Sequence, residues 1–317
     1  MKKLVSIIIR TLNEEKYLKE LLESIKHQSS IKYNIETVIV DSGSTDNTLL
    51  IAKSYDCKIT FIKKDEFTFG KSLNIGCDFA KGNFLVFISG HCIPTDSDWI
   101  LNLIEPLEND CQYVYGKQIG RDKTKFSERQ LFRKYFQEKS RIPQEGFFCN
   151  NANAAIRRDI WEHFRFDESL TGLEDMELSK RLVLHGHLIG YISNAAVYHI
   201  HDEVWRGVRI RYEREAIALQ SIMPEVRISF FDAIRYILVS IYEDCRAAIA
   251  EKVLIREVCS IFLFRISQYT GSYFGNRSNI KISNELKYRY FYPKQTNMNI
   301  HSHHIKSQDK IRDKDYD

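Results

Sequence analysis

Residues 82–92 read GNFLVFISGHC, and this stretch decides the fold class. Residues 84–88 form a continuous apolar run, which is typical of a strand buried on both faces of a helix-covered sheet. The run ends abruptly in Ser89, Gly90 and His91. Ligands of open α/β sheets bind outside the carboxyl ends of the strands, so these three residues mark a candidate ligand-binding site.

Upstream of this strand, strands alternate with helices. Apolar runs predict strands at residues 5–9, 37–40 and 59–62, and helical spacing predicts helices at residues 17–25, 48–55 and 70–80. Such alternation indicates right-handed βαβ units and a parallel sheet of the nucleotide-binding type. Asn13 is predicted to cap the first helix, and Ser44 or Asp46 the second.

Downstream of a predicted helix at residues 99–107 the pattern changes. Strands are predicted at residues 113–119, 151–156 and 197–201, and helices at residues 127–140 and from about 171 to 185. From Pro224 onward the chain is predicted to be helical and is rich in aromatic residues. We therefore expect an α/β catalytic domain over residues 1–205, a helical extension over 206–275 and a weakly structured tail over 276–317.

Composition narrows the class of protein. A hydrophobic content of 44% in 317 residues supports a substantial core, and the formal net charge of +4 does not indicate a nucleic-acid partner. Seven cysteines without a C-x-x-C pair indicate neither a zinc knuckle nor a disulfide framework and fit a cytoplasmic protein. The N-terminus begins like a signal peptide, but its apolar run stops at Arg10, which predicts a first strand instead.

Two groups of polar residues follow the first two strands. Thr11, Asn13 and Glu14 offer donors and acceptors that could hold a ribose or a base edge, although they could equally cap a helix. Asp41, with Ser42, could accept a hydrogen bond from a base N–H or could simply form a turn.

A further candidate group lies at residues 171–175. The sequence Thr171-x-x-Glu174 fits a capping box, which would assign Glu174 to helix structure. Asp175 is left over by that assignment. A carboxylate in the first turn of a helix, after a glycine-containing loop, is a good candidate for a general base.

Together these segments resemble the family 2 glycosyltransferases of the GT-A fold, over about residues 4–201. The segments that carry the resemblance are SIIIRTLNEE, VIVDSGSTDNT, KSLNIGCDFAKGNFLVFIS and FDESLTGLEDMELSKRL. The resemblance implies a nucleotide-binding mixed sheet flanked by helices and an inverting, single-displacement transfer from a nucleotide sugar. It implies that Asp41 reads the base, that Lys71, Ser72 and Asn74 line the donor pocket, and that Asp175 deprotonates the acceptor hydroxyl. The implied acceptor is a saccharide or lipid-linked saccharide of bacterial surface polysaccharide assembly.

The chain departs from the family at the metal site. Family members usually carry D-x-D, or a similar acidic pair, where this chain has Ser-Gly-His, so two oxygen ligands for magnesium are missing. His199 and His201 are predicted to lie on one face of a strand, and imidazole suits manganese or zinc better than magnesium. These histidines could also be satisfied polar residues.

Two solutions for the leaving phosphate therefore remain open. His91 with His199 or His201 could hold a softer cation. Alternatively the site holds no metal, and either Lys71 or the basic run over residues 206–214 stabilises the phosphate directly. The missing carboxylates favour weak or absent metal dependence.

The C-terminal third contains two charge-free apolar runs, at residues 236–242 and 258–264. Each has seven residues, and a spanning helix needs about 20. Residues 251–294 hold eight Lys or Arg and three Glu, a balance of +5. We expect amphipathic helices that either pack as a cap on the catalytic domain or bind peripherally to the cytoplasmic face of the inner membrane.

Two rival functions share the predicted fold. A sugar- or nucleotide-binding protein without turnover would be compatible with the missing D-x-D. A sugar nucleotidyltransferase has the same architecture, but its Gly/Arg-rich phosphate loop does not follow the first strand here. The sequence names neither the sugar nor the linkage.

Overall fold

An eight-stranded mixed sheet forms the centre of the computed structural model, which describes residues 2–29, 32–121, 123–278 and 290–291. The strands are β1 (Leu4–Thr11), β2 (Asn34–Asp41), β3 (Lys58–Phe61), β4 (Phe84–Ser89), β5 (Cys92–Pro94), β6 (Tyr113–Ile119), β7 (Asn153–Arg157) and β8 (Ile189–His199). Their spatial order is β3-β2-β1-β4-β7-β6-β8-β5. The first four strands pair in parallel, whereas β7 runs antiparallel to β4 and β6, and β5 runs antiparallel to β8.

Helices cover both faces of this sheet. They are α1 (Glu15–Lys26), α2 (Thr48–Ser54), α3 (Phe69–Phe79), α4 (Trp99–Asn109), α5 (Phe126–Tyr135), α6 (Arg158–Phe164), α7 (Glu174–Leu184), α8 (Trp205–Ile222), α9 (Phe230–Ala250) and α10 (Leu254–Asn276). Ile7 and Ile9 of β1 belong to a core cluster with α1 and α4, whereas Ile8 belongs to a second cluster with α3 and α7. Both faces of β1 are therefore buried, as the continuous apolar run predicts.

Several predicted boundaries are wrong. The polar helix predicted at residues 127–140 ends at Tyr135, and the last strand begins at Ile189 rather than at residue 197. Strand β5 and helix α6 were not predicted, because a three-residue strand and a seven-residue helix carry too little periodicity to be detected.

The predicted caps are corrected as well. Asn13 has a φ of 57°, and its side chain accepts a hydrogen bond from the backbone N–H of Thr45, so it joins two loops instead of capping α1. Asp46 accepts a hydrogen bond from the backbone N–H of Thr48, the first residue of α2, at 3.0 Å. Of the two residues predicted to cap α2, Asp46 therefore accepts the hydrogen bond from its first backbone N–H.

The pairing of β6 with β8 is irregular. Gly116 pairs with Ile192, but the next paired position joins Gln118 to Val197, so β8 contains extra residues between the two positions. Residues 193–196 form this bulge, and bulges re-aim the side chains that follow them. Beyond the bulge, β8 continues in register with β5, where His199 pairs with Cys92.

Helices α8, α9 and α10 form the C-terminal helical region. A Cβ at Gly271 would lie 2.3 Å from the carbonyl oxygen of Arg209, and one at Gly275 would lie 2.2 Å from that of Glu213. Glycine is therefore required where α10 crosses α8. The predicted domain boundary between residues 205 and 206 falls in the first turn of α8 and stays a prediction. Of the predicted tail, residues 279–289 and 292–317 lie outside the described residues.

A buried ion pair joins α9 to α10. Arg265 donates two hydrogen bonds to the Asp244 carboxylate, each at 2.7 Å, and a third to the side chain of Gln268 at 2.8 Å. Asp244 is 2% exposed and Arg265 is 4% exposed. Among the helices in the described ranges, none has the length and apolar content needed to cross a membrane. All seven cysteines are free.

Candidate active site

Two loops at the carboxyl edge of the sheet are tied together. Ser42 donates hydrogen bonds from its backbone N–H and its hydroxyl to the carbonyl of Thr11, at 3.1 and 3.2 Å. The backbone N–H of Asn13 donates to the hydroxyl of Ser44 at 2.9 Å. These bonds fix the loops after β1 and β2 side by side, where a nucleotide would bind in an open α/β sheet.

Asp41 closes the loop after β2. Its carboxylate accepts hydrogen bonds from the backbone N–H groups of Gly43, at 3.1 Å, and Ser44, at 2.8 Å. The residue is 0% exposed, so a base could reach these oxygens only after the loop moves. The geometry supports the turn-forming role, and base recognition by Asp41 stays a prediction.

The predicted donor residues on α3 have other partners. The Lys71 ammonium contacts the Glu66 carboxylate at 2.8 Å. The Asn74 amide donates to the Phe166 carbonyl at 3.0 Å and accepts a hydrogen bond from the Trp161 indole at 3.1 Å. We assign buried Asn74 to holding the segment that leads to α7, instead of to the donor pocket.

Asp175 lies in an enclosed position in the first turn of α7. Its two carboxylate oxygens accept hydrogen bonds from the backbone N–H groups of Asn151 and Met176, each at 2.8 Å. Burial, reinforced by the charge of Glu174, raises the pKa of Asp175 to about 7. A carboxylate with this pKa can accept a proton at neutral pH and is suited to general base catalysis.

Glu174 does not form the predicted capping box. Leu173, which precedes the helix, has a φ of 56°, a left-handed conformation that is rare for a leucine and is often found at functional sites. The Thr171 hydroxyl donates to the carbonyl of Arg214 at 3.0 Å, and Glu174 contacts Arg10 at 3.4 Å. Glu174 is therefore paired with a cation on β1, and the capping assignment is wrong.

The basic run on α8 does not act as one group. Arg211 forms ion pairs with Glu128 at 2.7 Å and with Glu203 at 3.0 Å. Arg209 lies over the ring of Phe274 on α10. Arg214 lies over Phe69, 4.5 Å from the ring centroid, and the same ring is 4.7 Å from the Arg10 guanidinium. Of the run, Arg214 thus adjoins the wall that also holds Arg10 and Glu174.

Three histidines converge next to the end of β4. Each of His91, His199 and His201 offers one ring nitrogen, and these nitrogens all lie within 4.8 Å of one another. The rings of His199 and His201 have centroids 4.0 Å apart, and those of His91 and His199 are stacked at 5.2 Å. The rings of His199 and His201 lie side by side, but β8 ends at His199, so the prediction that both histidines lie on one strand is wrong.

Each histidine also has its own hydrogen-bond acceptor. The Nδ1 atom of His91 lies 2.9 Å from Glu14, that of His199 lies 2.6 Å from Gln118, and that of His201 lies 2.7 Å from Glu128. We call these six residues the histidine cluster: His91, His199 and His201 with Glu14, Gln118 and Glu128. Glu14 thus orients His91. The sequence analysis missed Gln118 and Glu128, because nothing in their spacing links them to His199 and His201.

Gly90 allows Glu14 to reach His91. A Cβ at Gly90 would lie 2.9 Å from the Glu14 Cγ atom. Any larger residue would therefore push the Glu14 side chain away from the cluster. Gly90 directly follows Ser89, the last residue of β4, so the contact between Glu14 and His91 lies at the carboxyl edge of the sheet.

The ionisable groups of the histidine cluster have pKa values that are shifted in different directions. Burial, together with the neighbouring His201 and His91, lowers the pKa of His199 well below its ordinary value. Burial raises the pKa of Glu128, but His201 and Arg211 outweigh it and hold that pKa below its ordinary value. At neutral pH His199 is therefore neutral and Glu128 is ionised. Burial lowers the pKa of His91 as well, but the charge of Glu14 outweighs it, so that pKa is raised instead. Neutral His199 can offer a ring nitrogen to a divalent cation such as the resembled family uses.

Sequence comparisons place the chain among sugar transferases. A family model described as glycosyl transferase family 2 matches residues 6–164. The poly(ribitol-phosphate) beta-N-acetylglucosaminyltransferase TarS of Staphylococcus aureus is 25% identical over 266 residues, covering 78% of this chain and 42% of that protein. A dolichyl N-acetyl-alpha-D-glucosaminyl phosphate 3-beta-D-2,3-diacetamido-2,3-dideoxy-beta-D-glucuronosyltransferase of Methanococcus voltae is 37% identical over 106 residues, covering 32% of this chain and 33% of that protein. The chain thus spans less than half the length of either relative.

Solved structures share the fold. A mannosyltransferase from Pyrobaculum calidifontis, in complex with GDP-Man and Mn²⁺, has a TM-score of 0.61 at 16% identity and covers 87% of both chains. Residues 1–349 of S. aureus TarS, in complex with UDP, have a TM-score of 0.51 at 19% identity, covering 88% of this chain and 91% of that chain. At these identities the likeness shows the fold alone, and it confirms the predicted GT-A fold. Since the family model covers just over half of its residues, the chain belongs to glycosyl transferase family 2.

Proposed function

We propose that this protein transfers a sugar from a nucleotide-activated donor to a hydroxyl group of a saccharide or lipid-linked saccharide, with inversion at the anomeric carbon. The observation that carries the proposal is the enclosed carboxylate of Asp175 on the same edge of the sheet as the histidine cluster. Arg10 links the two, since its backbone pairs with Ser89, two residues before His91, and its guanidinium contacts Glu174, the residue before Asp175, at 3.4 Å. A proton acceptor and a candidate site for the leaving phosphate therefore lie at the same edge of the sheet.

The reaction follows from the position of Asp175. The acceptor hydroxyl attacks the anomeric carbon, the new C–O bond forms as the bond to the phosphate oxygen breaks, and its electron pair leaves with the nucleotide. Asp175 takes the proton of the attacking hydroxyl. A divalent cation, held by His91, His199 and His201, would supply positive charge toward the departing phosphate. Arg10 and Arg214 add fixed positive charge on the wall beside Glu174.

The named relatives support the acceptor class. The staphylococcal relative is named for transfer to poly(ribitol-phosphate), and the archaeal relative for transfer to a dolichyl-linked sugar. The first name thus describes a polymeric acceptor, and the second a lipid-linked sugar. We infer an acceptor of this kind, as in bacterial surface polysaccharide assembly.

A donor screen tests the function. The melting temperature of the protein is measured with UDP-, GDP-, dTDP- and CMP-linked sugars, and we expect one nucleotide class to stabilise the fold. At 100 times Kd a ligand adds roughly 2.7 kcal/mol to the free energy of unfolding, which corresponds to a shift of several degrees. The stabilising donor is then incubated with candidate acceptors to measure transfer.

Each rival predicts a different result in this screen. A binding protein would be stabilised by a donor without turning it over. A nucleotidyltransferase would release pyrophosphate from a nucleoside triphosphate and a sugar 1-phosphate. Stabilisation by none of the four donor classes would contradict the proposed function.

The helical region offers a surface for membrane contact. Its inner face packs on the catalytic domain, because Ile241 and Ile261 are buried in a cluster with Phe126 of α5. Its outer face exposes large apolar side chains on both long helices, including Leu238 at 62% and Phe262 at 45%. The outer apolar residues are Phe230, Phe231, Ile234, Leu238, Val239, Tyr242 and Ile249 on α9, and Ile255, Phe262, Leu263, Ile266 and Phe274 on α10. The packing on α5 is compatible with the predicted cap and leaves the outer face for a further partner.

We infer that this outer face binds peripherally to the cytoplasmic face of a membrane that carries the acceptor lipid. Exposed arginines, such as Arg235 and Arg256 with side chains 66% and 71% accessible, border the apolar residues. An apolar surface bordered by cations suits the boundary between acyl chains and anionic headgroups.

Vesicle sedimentation tests the membrane contact. The protein is expected to bind vesicles that contain phosphatidylserine at low salt, and high salt should release part of it because the attraction is partly electrostatic. The double variant Leu238→Glu/Phe262→Glu should bind at least about 10-fold more weakly, since it loses two apolar contacts and adds negative charge. Leu184→Glu, at a position of α7 that is 74% exposed, is the matched control and should bind normally. Failure to bind at low salt would leave the helical region with its packing role alone.

A further inference from the structure

We propose that His91, His199 and His201 form a three-nitrogen metal site that takes Zn²⁺ or a similar borderline ion and rejects Mg²⁺. The binding part of this proposal stands on geometry, and the role of the ion in catalysis rests on the proposed function. A site with three nitrogen ligands differs in ion preference from a site built of carboxylates, which favours hard cations with oxygen ligands.

The first argument is the convergence of the ring nitrogens. They lie within 4.8 Å of one another. A tetrahedral ion with nitrogen ligands at about 2.0–2.1 Å brings those ligands to about 3.4 Å from each other. Small rotations of the rings therefore close the site. Three protein ligands leave a fourth position for an oxygen of the substrate.

The second argument is the hydrogen bonding of the other ring nitrogen. Each Nδ1–H is bound by its own acceptor, Glu14, Gln118 or Glu128. This fixes the tautomer, so the lone pair lies on Nε2. Metal-binding histidines nearly always have such an acceptor, which orients the ring and raises its basicity. Gln118 is itself fixed, because its amide N–H₂ donates to Asn150 at 2.9 Å.

The third argument is access. The side chains of His91 and His201 are 28% and 15% accessible, whereas His199 is buried and stacked on the ring of Phe132. The cluster therefore has a rigid inner side and an open outer side. An ion can enter from the open side, and a donor phosphate can reach it there.

The choice of ion follows from the ligands. The nearby carboxylates have other partners, because Glu14 and Glu128 are engaged with Nδ1 atoms and Glu203 with Arg211, so the three imidazoles form the inner ligand set. Imidazole suits zinc, nickel and iron, whereas magnesium and manganese prefer oxygen. For a given nitrogen site the affinity rises from Mn²⁺ through Co²⁺. We therefore expect Zn²⁺ and Co²⁺ to bind more tightly than Mn²⁺, and Mg²⁺ to bind least.

The test uses cobalt as a spectroscopic probe. The sequence also contains His301, His303 and His304, which lie outside the described residues and could bind metal independently. All variants are therefore made in a full-length chain in which these three residues are alanine. After chelator treatment and dialysis, Co²⁺ is titrated while its visible d–d absorption is followed. One equivalent should bind, Zn²⁺ should displace it, Mn²⁺ should compete at least about 10-fold less well than Zn²⁺, and excess Mg²⁺ should not compete.

Variants locate the bound ion. His91→Ala and His201→Ala should each abolish the cobalt spectrum, whereas His163→Ala, at an exposed position of α6, should not change it. Glu128→Gln removes the charge behind His201 and should weaken metal binding by about 10–100-fold. Since Glu128 also pairs with Arg211, Glu14→Gln provides the same test at a less buried position. Thermal unfolding confirms that each variant is folded.

The outcomes separate this proposal from the proposed function. Unchanged cobalt binding in His91→Ala and His201→Ala, or equal competition by Mg²⁺ and Zn²⁺, would overturn the metal site. These measurements contain neither donor nor acceptor, so their failure leaves sugar transfer untouched. A chain that binds cobalt as expected but transfers no sugar would overturn the proposed function and retain the metal site.

Discussion

Asp175→Asn is expected to lower turnover by about 10²–10⁴-fold, the range that general base catalysis contributes. The amide cannot take the proton of the acceptor hydroxyl, but it has nearly the same shape. Donor affinity, measured by calorimetry or by the thermal shift, should stay within a few-fold of the unmodified protein. The loss should therefore appear in kcat instead of in donor binding.

The pH dependence provides a second readout of Asp175. Its folded pKa of about 7 lies above the ordinary value of 3.8, so the carboxylate is protonated below pH 7 and ionised above it. Only the ionised form accepts a proton, and kcat/KM should fall about tenfold per pH unit below pH 7. The same shift means that the folded protein is destabilised by this group as pH rises from about 4 to 7, since the folded state holds the proton more tightly.

A matched control is Asp159→Asn, at an exposed carboxylate that pairs with Arg157 in the first turn of α6. This variant should turn over normally with the pH profile of the unmodified protein. Asp175→Asn with turnover within a few-fold of normal, or with an unchanged acid limb, would show that another group is the base.

Asp244→Ala is expected to lower the free energy of unfolding by about 3–5 kcal/mol. The substitution leaves the Arg265 guanidinium buried between α9 and α10 without the carboxylate that accepts two of its hydrogen bonds. An uncompensated buried charge costs far more than a lost surface contact. Urea or guanidinium unfolding, followed by circular dichroism, measures the change.

The matched control is Asp78→Ala. Asp78 also accepts two hydrogen bonds from one arginine, Arg165, at 2.9 and 2.6 Å. That pair is exposed, with side chains 54% and 43% accessible, so its loss should cost at most about 1 kcal/mol. The double variant Asp244→Leu/Arg265→Met removes both buried charges and should be more stable than Asp244→Ala. Equal losses in Asp78→Ala and Asp244→Ala would contradict the argument from burial.

The sequence predicts the centre of the sheet well because its strands are buried on both faces. Continuous apolar runs identify β1, β2 and β4 within one to three residues of their ends. The start of β8 is missed because Gly190, Ser193 and Asn194 interrupt its apolar pattern. Ser193 and Asn194 lie in the bulge of β8, and a bulge depends on how the strand pairs with its neighbours, which the local pattern does not reveal.

Residues of the candidate site could be predicted where a reactive polar side chain lies at the end of a strand or at the start of a helix. His91, His199 and Asp175 were identified because polar residues follow an apolar run or begin a helix. Gln118 and Glu128 were not, because their contacts join strand β6 and helix α5 to histidines that lie 81 and 73 positions away in the sequence. Glu174 was misassigned because its spacing satisfies a local capping rule, whereas the left-handed Leu173 begins the helix differently and turns the carboxylate toward Arg10.

The bulge at residues 193–196 divides β8 into two parts, and only the second part pairs with β5. Before the bulge the strand pairs with β6, and after it with both β6 and β5, so the two ladders together set which way His199 points. Because successive side chains of a strand alternate between faces, a slip of one position after the bulge would turn the His199 imidazole away from His91. Insertions and deletions that accumulate during evolution should therefore be tolerated within the bulge, which can absorb them, and be purged between residues 197 and 201.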